Sequence, residues 1–370
     1  MRVLLLAASL IAVRALPPRL HTRANAAETA LADTKVDGDR SLLQKVLRRL
    51  DADLEKAEVE AAVVKPAVNT VATKVTNRYV VITMGPTGAG KSKLPEAVAQ
   101  QLDLRKGTLP HPLLVDDFVE GHPDYKRTVL NILMGMWEGK TEAQVEQLFN
   151  NPSARLLKEF GKAYYGVRTE TEGCDPLLAV GNCDDANDTK LRLLLAQGKD
   201  VVVESTGEYV PDWVAEFVAK HKRADYQYQI VYAFTLVNFE ELIKRNKQRA
   251  FKAAKEFLED QTKPAPRFPD VGSGENGKFY GAVTKIRETI KTLITHPSAH
   301  SQSYSKLLLF DNNGKGMKLV GEPLVPANEE LDDEAKNKAN DLYCSVVRDH
   351  MSDPYGGAEK ACRESSVDLT

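Results

Sequence analysis

Gly85-Pro86-Thr87-Gly88-Ala89-Gly90-Lys91-Ser92 is a complete GxxxxGK[ST] pattern, and its residue types suit one task, gripping the phosphates of a nucleoside triphosphate. Glycines let backbone N–H groups wrap the anion, and the N-terminus of a following helix adds its dipole. Lys91 reaches the β- and γ-phosphates, and the Ser92 hydroxyl ligates Mg²⁺. A receiver for the phosphoryl group must come from elsewhere. Two apolar runs deliver candidates: Leu113-Leu114-Val115 leads into Asp116-Asp117-Phe118, and Val201-Val202-Val203 leads into Glu204-Ser205-Thr206-Gly207. Read as strands, both place polar groups at C-terminal strand ends, where open α/β sheets bind ligands. Asp116 there can take a hydroxyl proton as general base or organise the metal, and residue type leaves both roles open. Glu204 and Thr206 can hydrogen-bond a polyhydroxylated substrate or order Mg²⁺ through water.

The elements that must carry these groups alternate between short β-branched runs and helical stretches. Strands are predicted at Tyr79 to Met84, Leu113 to Asp116, Val201 to Glu204, Gln229 to Leu236 and Leu307 to Asp311, which implies a parallel sheet flanked by helices. A helix follows the loop from Lys93 to about Leu104. The stretch Asp124 to Gln197 is helical and too long for a simple crossover; Thr141 and Gln144 form a capping box in it, and Gly198 closes its last helix. Arg245, Arg249, Lys252 and Lys255 share a helix after the fourth strand, ahead of an irregular segment from Gln261 to Gly277. Such a charged face is either solvated or turned toward phosphate. Asp311-Asn312-Asn313-Gly314 makes a turn into a short strand at Met317 to Val320. His122 reads as a helix-entry residue beside Pro123, while Trp137, Trp213, Tyr164 and Tyr165 read as core or rim packing.

Composition removes other classes. At 42% hydrophobic and 28% charged residues the chain is no disordered or fibrous protein. Lys+Arg 50 against Asp+Glu 52 gives a net charge of −2, so no general nucleic-acid binding is expected. Four cysteines without a CxxC pair exclude a zinc module. In a secreted chain Cys174 would pair with Cys183 and Cys344 with Cys362; free buried thiols are the alternative.

The first 23 residues read as a leader. An apolar run from Val3 to Val13 lies between Arg2 and Arg14, followed by Ala15, and is too short to span a bilayer. Its continuity favours a secretory signal peptide removed near Ala15; Arg2, Arg14, Arg19 and Arg23, with no acid before Glu28, fit a mitochondrial or plastid presequence instead. Residues 24–77 read as an amphipathic helix, Asp39 to about Glu60, and a linker; that helix packs or covers the nucleotide cleft as a built-in inhibitor. Residues 78–325 form the main domain, with the insertion at about 124–197, and residues 326–370 a helical and polar tail.

From Tyr79 to Val320 the order and spacing of motifs resembles the zeta toxin family of P-loop kinases. The matching parts are the glycine loop, Asp116-Asp117-Phe118 with His122-Pro123, Glu204-Ser205-Thr206-Gly207, the arginine helix, Arg267-Phe268-Pro269, and Leu309-Phe310-Asp311-Asn312-Asn313-Gly314. The resemblance implies a P-loop kinase fold with a helical lid, ATP and Mg²⁺ as cofactors, and phosphorylation of a small-molecule hydroxyl, UDP-N-acetylglucosamine being the family's best-known acceptor. It assigns Asp116 as general base, Glu204 and Thr206 to the acceptor, Arg267 as the second lid arginine, and Arg245 or Arg249 as the first. A toxin of this type has a protein inhibitor. The chain departs from the family in Asp117, where Ser or Thr is usual, in the long insertion, and in the wider gap between lid arginines. Two other readings share the loop: a polynucleotide kinase, which would need a basic groove, and a secreted non-catalytic protein that binds a host partner through the insertion.

Overall fold

The computed structural model describes residues 76–362 apart from 106, 172–173, 175–180, 221–225, 271, 273, 297–303, 327–330, 358–359 and 361. The expected leader and the helix Asp39 to Glu60 lie outside the described residues.

A parallel sheet forms the centre. Strand β1 (Thr76–Met84) pairs with β2 (Val201–Ser205) on one side and β3 (Tyr226–Leu236) on the other; β4 (Tyr304–Asp311) follows β3, and the short β5 (Lys318–Leu319) closes the edge antiparallel, giving the order β2-β1-β3-β4-β5. Val80, Ile82 and Met84 point to one face, Val81 to the other, and all four are fully buried. A strand covered on both faces reads as a continuous apolar run rather than an alternating one. Helix α1 (Leu94–Gln101) covers the Val81 face through Leu94, Val98 and Ala99.

One predicted strand is absent. Leu113 makes a single parallel bridge to Val203, its N–H donating to Val202 O and its carbonyl accepting from Glu204 N, and the chain then turns into helix α2 (Val115–Gly121). Asp116 and Asp117 stand in that helix's first turn, where acidic side chains meet the positive end of the helix dipole. Asp116 therefore sits at a helix start rather than a strand end.

The insertion is helical: α3 (Pro123–Trp137), α4 (Glu142–Asn150), α5 (Ala154–Tyr165), a π-helical turn at Gly166–Glu170, and α6 (Cys183–Ala196). The capping box of Thr141 and Gln144 is formed, His122 caps α3 by accepting from Asp124 N, and Gly198 takes a left-handed φ of 68° after α6. After β2 comes α7 (Asp212–Lys220), and after β3 the long α8 (Phe239–Glu259). Ala250, Ala254 and Phe257 of α8 join Val129, Leu133, Phe149 and Phe160 of the insertion in a second apolar cluster, separate from the one against the sheet. Phe268 enters that cluster 5.0 Å from Phe149 and 5.8 Å from Phe160, ring centre to ring centre, so the segment bearing Arg267 is docked on the insertion. Trp137 is half-buried, stacks on Phe251 and packs against this cluster from its rim, within the expected core or rim packing.

Helix α9 (Lys278–Thr295) packs against α10 (Asp333–His350), which sends Tyr343, Val346 and Val347 into the main core. Cys174 is bonded to Cys183 and Cys344 to Cys362. No helix among the described residues is long and apolar enough to cross a membrane.

Candidate active site

The glycine loop leaves β1 with left-handed backbone at Gly88 and Gly90, φ 86° and 87°. A side chain at Gly88 would place its Cβ 2.5 Å from Asn246 Nδ2, and one at Gly90 would meet Asn312 Nδ2 at 2.6 Å, so both positions exclude any larger residue twice over. Those two asparagines hold the loop open from outside: Asn246 Nδ2 donates to Thr87 O at 2.7 Å, and Asn312 Nδ2 donates to Ala89 O at 2.7 Å. Asn312 entered the sequence reading only as part of the Asp311–Gly314 turn, and Asn246 did not enter it. Asn246 lies on the α8 face opposite its lysines, a buried polar residue at helical spacing from Leu242 and Ala250, which is the signal that was available.

Lys91 lies across the loop in the short 3₁₀ turn Lys91–Lys93. Its ammonium donates to Gly85 O at 2.8 Å and stands 3.2 Å from Glu204 Oε1. Burial pulls the Lys91 pKa down, and Glu204 opposes that shift. The Ser92 side chain is exposed beside it. Thr206 is exposed as well, and its carbonyl accepts from Gly85 N at 3.2 Å, tying the end of β2 to the loop. Asn246 Oδ1 and Thr235 Oγ1 are buried beside the loop without a hydrogen-bond partner. The positive-φ glycines, the Lys91 ammonium and the open Ser92 hydroxyl together fit a triphosphate with its Mg²⁺.

Asp116 faces this loop from α2. Arg267 Nη1 pairs with its Oδ2, and the Tyr164 hydroxyl donates to its Oδ1. The Arg267 guanidinium lies 5.4 Å from the centre of the Tyr164 ring, and its Nε is 3.9 Å from Glu120 Oε1. That Nε is buried and lacks a hydrogen bond, leaving one donor of the fork unspent. The backbone fixes the same arrangement: Ala265 N donates to Glu120 O, and the Tyr125 hydroxyl donates to Pro266 O. Burial raises the Glu120 pKa to about 7, with Arg267 acting against it and Asp116 with it. Burial likewise pushes the Tyr164 hydroxyl well above its ordinary value.

The two arginines of α8 part company. Arg245 Nη2 donates to Asn312 O at 2.8 Å and its Nε to Glu241 Oε1 at 2.9 Å, which uses it to brace the loop's asparagine. Arg249 is reached by solvent yet flanked by protein, as a group lining a cleft is. Its pKa is lowered first by those surroundings and then by Arg267, against the pull of Glu120, Asp116 and Glu204. Lys91, Glu204, Asp116, Arg267 and Arg249 thus lie close enough to act on one another electrostatically, with Glu120 and Tyr164 added by the structure. Asp117 is exposed and turned toward His111, 3.9 Å away. Tyr164, read from the sequence as packing, is indeed buried, but its bond to Asp116 was not legible there, because it depends on how the insertion folds back over α2.

No family model matches the chain, and no curated protein does. A solved structure from the molecular and structural characterization of the PezAT chromosomal toxin-antitoxin system of the human pathogen Streptococcus pneumoniae is similar at 12% identity, with a TM-score of 0.37 over 85% of this chain and 97% of that one. A superposition that loose adds nothing to the geometry above.

Proposed function

We propose that the protein is an ATP-dependent phosphotransferase acting on a hydroxyl of a small acceptor, a sugar nucleotide such as UDP-N-acetylglucosamine being the first candidate from the family resemblance. The observation that carries the reading is the convergence of a complete phosphate loop with a carboxylate, Asp116, braced by Arg267 on a separate segment. Lys91 and the loop amides hold the β- and γ-phosphates, with Ser92 placed to ligate Mg²⁺, whose charge would offset that of the triphosphate. The acceptor oxygen bonds to the γ-phosphorus, its proton passes to Asp116, and the bond to the bridging oxygen breaks as ADP leaves. Arg249 takes the role of first lid arginine, since Arg245 is spent on Asn312 and Glu241, and Arg267, paired with Asp116, takes that of the second. Glu204 and Thr206 receive the acceptor at the end of β2.

The test is Mg·ATP with a panel of metabolites, read by mass spectrometry. A product gaining one phosphoryl group is expected from the wild type and lost in Lys91→Ala and Asp116→Asn. Full activity in Asp116→Asn would remove the base assignment.

The two cysteine pairs fit an oxidising compartment, reached through the N-terminal leader. A mature N-terminus near Ala15 supports secretion, one well beyond Arg23 an organelle, and one at Met1 neither.

A further inference from the structure

We propose that Tyr164 reserves Asp116 for the acceptor hydroxyl and keeps water from using it. The inference rests on the phosphotransfer reading and adds a residue that discriminates between two oxygen nucleophiles.

Both oxygens of Asp116 are occupied. Oδ2 pairs with Arg267 Nη1, and Oδ1 accepts from the Tyr164 hydroxyl, which therefore stands where an attacking hydroxyl must stand to hand over its proton. The tyrosine is firmly placed. It is 5% exposed, its ring meets Tyr125 edge-on at 6.2 Å, and the Arg267 guanidinium lies 5.4 Å from its centre. Tyr125 in turn donates to Pro266 O, so the residue that blocks the base and the segment that brings Arg267 are held by one pair of rings. Burial keeps the phenol protonated, hence a donor to the carboxylate at all ordinary pH values.

Another hydroxyl must displace this charge-assisted hydrogen bond or share Oδ1 with it, and sharing leaves the carboxylate a weaker base. An acceptor brings the binding energy of its whole molecule to that exchange, whereas a water molecule brings only its own hydrogen bonds. The reaction suppressed is hydrolysis: water oxygen bonds to the γ-phosphorus, its proton goes to Asp116, the bond to the bridging oxygen breaks, and ADP leaves. A P-loop enzyme whose base was bare between acceptors would lose ATP by that route.

The experiment measures phosphate release from Mg·ATP by the full chain with no acceptor present, alongside Mg·ATP binding by calorimetry and thermal unfolding. Tyr164→Phe keeps the ring and removes the hydroxyl; Tyr164→Met serves if the phenylalanine variant does not fold. Hydrolysis is expected to rise on the order of tenfold, the worth of one hydrogen bond to a charged group. Nucleotide binding stays at the wild-type level, and hydrolysis falls back when Asp116→Asn is added. A merely structural tyrosine would not increase turnover on removal. Unchanged or slower hydrolysis in a variant that binds Mg·ATP normally overturns the proposal and leaves the phosphotransfer reading standing, as does a rise that persists in the double variant. Absence of Mg·ATP binding by the wild type would instead bring down that reading, and this inference with it.

Discussion

Lys91 Nζ stands 3.2 Å from Glu204 Oε1 while donating to Gly85 O, so the cation meant for phosphate already has an anion beside it. The pair sets up a competition. Glu204 holds Lys91 charged against burial, yet it also occupies the ammonium that a γ-phosphate requires. Replacing Glu204 by Gln removes the competitor and one support of the charge together. At the acid end of a pH series, Glu204→Gln should bind Mg·ATP at least as tightly as the wild type. As pH rises the ratio should turn against the variant, because the Lys91 pKa, already lowered by burial, falls further without its partner. Calorimetric titration across that series checks it; a ratio that does not change with pH removes the competition.

Arg245 and Arg249 are one helical turn apart on α8 and should respond differently to removal. Arg249→Ala should leave the fold and nucleotide affinity nearly intact and lower turnover by about two to three orders of magnitude, the usual loss for a group that meets charge formed in the transition state. Arg245→Ala strips Asn312 O and Glu241 of a donor, and Asn312 holds Ala89 of the loop. It should therefore weaken Mg·ATP binding and cost about 1 to 2 kcal/mol of stability. Single-turnover kinetics beside denaturant unfolding separates the two. Equal losses of turnover with equal losses of stability would mean that both arginines are structural.

The sheet and the phosphate loop were legible because each has a local signature: apolar runs buried on both faces, and glycines at fixed spacing before Lys91. The helical insertion was legible for the same reason, down to the Thr141 capping box and the Gly198 stop. The start of α2 was misread because Leu113-Leu114-Val115 has the composition of a strand; only one residue of it finds a pairing partner, at Val203, and Asp116-Asp117 then favour a helix N-terminus. The choice between Arg245 and Arg249 was hidden from the sequence, since both lie on one charged helix and differ in what stands opposite. Tyr164 and Glu120 were hidden more deeply. Their roles arise from the docking of Phe268 on Phe149 and Phe160, a contact between segments more than a hundred residues apart.

Glu120 makes the stability of this docking depend on pH. Its folded pKa is raised from 4.5 to about 7, chiefly by burial. A group with a raised folded pKa contributes its full stability below the unfolded value and loses it as pH climbs through the folded value. Stability should thus decline between about pH 4.5 and 7 on account of Glu120, by about 3 kcal/mol at most for a rise of that size, at ~1.36 kcal/mol per pKa unit. Glu120→Gln is neutral throughout, so its unfolding free energy relative to the wild type should improve steadily across that window. Urea unfolding at pH 5 and pH 8 decides the point; a difference that does not vary with pH would mean Arg267 keeps the carboxylate charged in the fold.

The Cys344–Cys362 bridge closes a loop of 18 residues that contains Asp353, and what it encloses makes it worth more than its length alone. Asp353 Oδ2 meets Arg287 Nη2 at 2.7 Å, both side chains being almost wholly buried, and a second Arg287 donor, Nε, has no partner. A buried charge that loses its counter-ion costs about 3 to 5 kcal/mol. Freeing the loop adds about 3 kcal/mol of chain entropy. The same segment reaches the site: Phe239 N donates to Ser352 O, and Asn313 Nδ2 donates to His350 O one residue from the Asn312 that braces Ala89. Cys344→Ser with Cys362→Ser should therefore lower the thermal midpoint by on the order of 10 °C, at roughly 2 to 4 °C per kcal/mol for a domain of this size, and should weaken Mg·ATP binding. Cys174→Ser with Cys183→Ser, whose loop spans 9 residues, should cost less. Adding reductant to the wild type should reproduce the larger loss, whereas a midpoint insensitive to reductant would show that Arg287 and Asp353 hold the segment without the bridge.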